Sequence, residues 1–169
     1  MKELIELIVI KKPNECSDAE LQDFAALVRA GGEVIEDGLD TRINNAEALV
    51  FLTQNNCLKG IAAIKNPDQH YKIRVFQSAK TSVQVNNFSL ELGWVYVMPS
   101  SRGKGLSHKL AQASLDFTGG QAIFSTARSD NKPMHKVLIT HGFSKHGMEY
   151  DSSRDSKQKL TLFVRSITP

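Results

Sequence analysis

ELGWVYVMPSSRGKGLSHKL, residues 91–110, reads as a strand that delivers a glycine loop onto the start of a helix. Leu92, Trp94, Val95, Tyr96 and Val97 are aromatic and β-branched, the side chains that suit a pleated surface, and Pro99 ends the run because it has no N–H for a ladder. From Gly105 onward Leu106, Leu110, Ala113 and Phe117 recur at helical spacing, which predicts one apolar face, and Gly119 and Gly120 close the helix. The first turn of such a helix points unpaired N–H groups and the positive end of its dipole into the loop. Gly103 and Gly105 let an anion approach the backbone, and Arg102 and Lys104 add positive charge. The stretch therefore predicts a phosphate site.

Spacing separates the phosphate loops that it might be. A P-loop needs G-x-x-x-x-G-K-[ST], but Lys104 is followed by Gly105, and Met98 stands where the first glycine belongs. A dinucleotide fingerprint needs a third glycine where this chain has His108, which weakens that reading without removing it. The pattern Q/R-x-x-G-x-G/A is matched from Arg102 through Gly103, Lys104, Gly105 and Leu106 in all but its last position, where Ser107, a small hydroxyl still compatible with a close phosphate, departs from it. On these residues the chain resembles the GNAT acetyltransferase superfamily.

The flank agrees. AIFSTARSDNKPMHKVLITHGF, Ala122 to Phe143, resembles the GNAT block of strand, asparagine loop, second helix and closing Gly-Phe, with Asn131 at the asparagine. Local chemistry supports the helix independently, because Pro133 sits near its start and Gly142 just past its end. The resemblance covers most of the second half of the chain, while the amino-terminal third carries only a compatible pattern.

Composition fits one soluble globular domain over residues 1–169, with 41% hydrophobic and 23% charged residues. Cys16 and Cys57 form neither a metal cluster nor a disulfide framework and read as reduced, in a cytoplasmic protein. Glu3 and Glu6 interrupt the apolar start, which argues against a signal peptide, and no stretch is long enough to span a membrane. A net charge of +3 gives little reason to expect nucleic acid as a partner, although it leaves that open, as it does a homodimer.

Along the chain, Leu4 to Ile10 reads as a strand. Ser17 with Glu20 makes a capping box ahead of a helix whose stripe is Leu21, Phe24, Ala25, Leu27 and Val28, stopped by Gly31 and Gly32. Glu33 to Asn45 is poorly patterned, with one short helical turn at Leu39 to Ile43. Ala48 to Thr53 and Cys57 to Lys65 form a hairpin across Gln54, Asn55 and Asn56. Tyr71 to Lys80 suits strand and helix equally. Phe143 to Tyr150 and Leu160 to Arg165 close the chain as two strands. The fold class is α/β (α+β): a twisted, mostly antiparallel sheet with helices on both faces, for which the GNAT resemblance implies the strand order and a sheet splayed at its central strand.

The resemblance implies transfer of an acetyl group from acetyl-CoA, as cosubstrate, to an amine, with no metal. The loop Arg102, Gly103, Lys104, Gly105, Leu106 and Ser107 would hold the diphosphate, the backbone of Val95, Tyr96 and Val97 would pair with the amide-rich pantetheine arm, and Asn131 would complete the cofactor set. A backbone N–H on that strand would stabilise the oxyanion as it forms. Glu91 is the candidate base, directly or through water, and its plainer reading is a strand-end carboxylate in a salt bridge. Many GNAT enzymes carry an acidic tyrosine where this chain has Leu138, so the acid is unassigned; Tyr96 and Tyr150 are the phenols to test, and Tyr96 reads equally as pocket wall. Asn131 also reads as a helix cap. Two other outcomes stay open: a degenerate acyl-CoA-binding regulatory module, and an enzyme of the same fold acting on a protein amino terminus, a lysine or an aminoacyl-tRNA.

Overall fold

The computed structural model describes residues 2–32 and 34–167. Glu33, inside the poorly patterned stretch, lies outside the described residues, as do Met1, Thr168 and Pro169. In chain order the elements are β1 (Glu6–Lys11), α1 (Asp18–Gly31), α2 (Leu39–Asn44), β2 (Ala48–Gln54), β3 (Cys57–Lys65), α3 (Gln69–Ser78), β4 (Leu90–Val97), α4 (Leu106–Thr118), β5 (Ile123–Arg128), α5 (Lys132–Thr140), β6 (Ser144–Asp151) and β7 (Lys159–Arg165). Seven strands form one sheet in the order β1-β2-β3-β4-β5-β7-β6. Every neighbouring pair is antiparallel except β4 with β5.

Local chemistry explains most boundaries. Ser17 accepts from Glu20 N while the Glu20 side chain accepts from Ser17 N, so the capping box forms, and Gly32 ends α1 in the left-handed region. The β2–β3 turn is tighter than the three polar residues suggest: Gln54 belongs to β2 and pairs with Cys57, leaving Asn55 and Asn56 at φ +50 and +63, the signs that a two-residue type I′ turn demands. The ambiguous stretch at Tyr71 is helical. Asp68 caps it by accepting from Tyr71 N at 2.9 Å, and Tyr71, Val75, Phe76 and Ala79 turn to the sheet together.

Alternation along the strands sorts the helices onto two faces. On β2 and β3, Leu49, Phe51, Ile61 and Ala63 pack against Phe24, Ala25 and Val28 of α1, whereas Val50, Leu52 and Ala62 pack against Leu106 and Leu110 of α4. On β5 and β7, Phe124, Leu162 and Val164 meet Val75 and Phe76 of α3, while Ile123 and Phe163 meet Ala111, Leu115, Val137 and Leu138 of α4 and α5. So α1, α2 and α3 cover one face, and α4 and α5 the other. The buried side of α4 differs from the expected stripe: Leu106 and Leu110 hold, but Ala111, Ser114 and Leu115 complete it, and Phe117 is exposed. The cause is that α4 lies across two cores, so its contact band drifts round the helix beyond what a fixed spacing captures.

Candidate active site

Strands β4 and β5 pair only at Leu90 with Ile123 and Glu91 with Phe124, then part. The Ser125 hydroxyl makes the next link, donating to Leu92 O at 2.8 Å. Beyond it the sheet is open, and a groove of about 1400 Å³ runs through the gap from the α4–α5 face to the α1–α3 face.

The opening is shaped by a bulge on β4. Ile61 pairs with Tyr96 and Ala63 with Gly93, so Trp94 and Val95 stand opposite Ala62 alone. Trp94 has φ +51, a left-handed conformation unusual for a bulky residue, which costs about 1–3 kcal/mol and persists only because neighbours fix it. Its ring sits edge-on to Phe24 at 6.1 Å, with Lys65 Nζ 4.6 Å from its centre. Gly93 makes room for that lysine, since a Cβ there would lie 2.6 Å from Lys65 Cδ. The bulge flips the side-chain alternation, so Val95 and Val97 face α4 while Trp94 and Tyr96 face α1.

On the α4 side, the loop between β4 and α4 has an open backbone at its two glycines. Gly103 and Gly105 adopt φ +78 and +74, and nothing stands within 4 Å of where a Cβ would be on either, so the backbone is open to an incoming group. Gly105 is also the N-cap of α4 and offers no side chain to its first N–H groups. A phosphate fits this geometry. Arg102 does more than supply charge: its Nε donates to Val97 O at 2.9 Å and its guanidinium lies over the Tyr96 ring at 5.3 Å, pinning the loop to the strand. Lys104 is exposed beside it, and Leu106 anchors the helix start in the core. Ser107 lines the groove, and so does His108, whose Nδ1 is 3.3 Å from Nε2 of His141, the residue just past α5. Burial and the neighbouring His108 push the His141 pKa down. Asn131 caps α5, accepting from Met134 N at 3.2 Å, at the groove's rim.

On the opposite face stands Glu91, 3% exposed. Its Oε1 accepts from the Tyr71 hydroxyl at 3.0 Å, and Lys65 Nζ is 3.4 Å from Oε2, an ion pair without hydrogen-bond geometry that leaves Oε2 with no hydrogen bond. Such an atom carries a desolvation cost of about 1–3 kcal/mol or more. The sequence pointed to Glu91 but not to Tyr71 or Lys65, which reach it from α3 and β3, nor to Gly93, two residues on along β4, which makes room for that lysine. Tyr71 is held protonated far above the ordinary phenol value, first by burial and then by the charge of Glu91. The same causes push the Tyr150 phenol up, and its hydroxyl is buried without a hydrogen-bond partner among the described residues. Tyr96 is half-buried, its ring against Gly31 at the end of α1. Leu138 lies fully buried among Leu92, Phe143 and Phe163 and does not line the groove. No helix among the described residues is long and apolar enough to cross a membrane.

The site is thus a mixed sheet opened beside a bulged central strand, with an open glycine loop at one mouth and a buried carboxylate at the other. A family profile described as the acetyltransferase (GNAT) family matches residues 3–143, and this chain belongs to that family. A search of curated proteins finds no match. Among solved structures, Escherichia coli ElaA superposes with a TM-score of 0.71 at 13% identity, covering 96% of this chain and 100% of that one. Salmonella typhimurium yncA, solved with its cofactor acetyl-CoA, superposes at 0.66 and 17% identity over 98% and 95% of the two chains. Arabidopsis thaliana NAA60, in complex with a bisubstrate analogue, does so at 0.64 and 11% over 94% and 97%. At these identities the likeness is one of fold.

Proposed function

We propose that this chain is an N-acetyltransferase that uses acetyl-CoA to acetylate an amine. The observation that carries the reading is the gap after Glu91, where an unpaired strand edge joins the cradle at Gly103 and Gly105 to a buried carboxylate on the other face. Membership of the GNAT family and the acetyl-CoA in yncA support it.

Acetyl-CoA supplies an activated thioester carbonyl to which the amine nitrogen adds as the thiolate leaves. Backbone N–H groups from Gly103 to Ser107 take the diphosphate, with Lys104 adding charge and Arg102 holding the loop in place. The edge of β4 at Val95, Tyr96 and Val97 takes the amides of the pantetheine arm, and Asn131 closes that side. Glu91 receives the proton of the ammonium, directly or through one water, its Oε2 being the acceptor left without a hydrogen bond. With Leu138 in the core, the departing thiolate takes its proton from Tyr96 or from water. Two free cysteines support a reducing compartment such as the cytoplasm as its place of action.

The test is thiol release from acetyl-CoA with a panel of amines, confirmed by the mass of the acetylated product. Glu91→Gln should lower kcat by about 10²- to 10⁴-fold with CoA binding retained. Leu138 favours one other reading, a CoA-binding module without turnover; binding with no thiol release on any amine would establish it, and no CoA binding would overturn both.

A further inference from the structure

We infer that the acceptor amine carries a carboxylate, and that Arg74 of α3 binds it. This deepens the function proposed above and rests on it. The two faces of the sheet divide the groove: α4 and α5 frame the glycine cradle, so the acceptor half lies between α1 and α2 on one side and α3 on the other.

Charge in that half is unbalanced. Its acidic groups are already engaged: Asp68 caps α3, Glu91 is paired with Lys65, and Asp130 is paired with Arg128. Arg74 is different. It is exposed in the groove, its guanidinium lies 5.6 Å from the Tyr71 ring centre, and among the described residues no carboxylate forms an ion pair with it. Across the groove, Arg42 of α2 is tied by one nitrogen to Ile35 O, and its buried Nε has no hydrogen-bond partner. A groove lined in this way favours an anion and disfavours a polycation. A stacked arginine presents a planar fork that matches a carboxylate in two parallel hydrogen bonds.

Tyr71 links this cation to the proposed chemistry. Its ring lies under Arg74 while its hydroxyl holds Glu91, whose Oε2, buried and without a hydrogen bond, is the acceptor that an ammonium would meet. One tyrosine length therefore separates the group that would hold the carboxylate from the group that would receive the amine proton. An amine and a carboxylate on one small molecule match the pair.

The experiment measures kcat/KM by thiol release for glycine, β-alanine and γ-aminobutyrate, each against the amine of the same chain without its carboxylate, and for spermidine. At least one carboxylate member should exceed its counterpart lacking the carboxylate by tenfold or more, with spermidine poor. Arg74→Gln should cut that member about ten- to a hundredfold and bring the ratio near one, with CoA affinity retained, and Arg74→Lys should restore part of it. A preference for the amines without a carboxylate or for spermidine, or a ratio unmoved by Arg74→Gln, overturns the inference while the acetyltransferase reading stands. If no amine is turned over, that reading fails, and the inference is then decided by melting temperature: a rise with the carboxylate amines that Arg74→Gln abolishes upholds it, and no rise overturns it.

Discussion

The Tyr71 hydroxyl donates to the Glu91 carboxylate at 3.0 Å, tying α3 to the central strand at the last residue before the sheet opens. One hydrogen bond thus fixes both the buried carboxylate and the wall of the acceptor half of the groove. Because burial keeps the phenol protonated, it remains a donor throughout the neutral range.

That pairing gives a first expectation. Lys65→Met leaves the Glu91 charge buried with no cation, a loss toward the lower end of about 3–5 kcal/mol because the pair lacks hydrogen-bond geometry. Adding Glu91→Gln should recover much of it. Chemical denaturation of the single and double variants checks this, and additive losses would mean that the two side chains do not interact.

The phenols set a second. The folded chain holds Tyr71 and Tyr150 protonated above the ordinary 10.0, whereas the unfolded chain releases both protons from about pH 10. The unfolded state therefore binds fewer protons there, so stability is intact below pH 10 and falls as pH rises beyond it. Melting curves between pH 8 and 11 should show the decline, shallower in Tyr150→Phe; a flat wild-type curve would count against the burial of these groups.

The third concerns Leu138, which the GNAT resemblance places where many relatives carry an acidic tyrosine. It is fully buried and packed, so Leu138→Tyr should overpack the core by about 1–3 kcal/mol without raising kcat. A faster variant with an unchanged melting temperature would show that position 138 does face the chemistry.

The readable parts of this sequence were those whose signal is local. The capping box at Ser17 and Glu20, the helix end at Gly32 and the glycine loop at Gly103 and Gly105 each depend on neighbours a few residues away, and each formed. Glu91 was legible as a candidate because it precedes the loop on the same strand. Its surroundings were not. Lys65 arrives from β3 and Tyr71 from a helix whose pattern also suited a strand, and the Asp68 cap on Tyr71 N that decides for the helix emerged only with the structure. The positive φ of Trp94 has no sequence signature, because aromatic residues in strands ordinarily signal regular pairing.

Whether the glycine loop holds CoA is decided by calorimetric titration of acetyl-CoA into the wild type and into Gly105→Asn. At φ +74 a valine would add backbone strain of about 1–2 kcal/mol, whereas asparagine tolerates the left-handed region and still fills the space that a phosphate needs. The wild type should show saturable one-site binding, and the variant, melting within a few degrees of it, an affinity at least tenfold weaker. Equal affinity in the folded variant, or no binding to the wild type, would contradict that role of the loop.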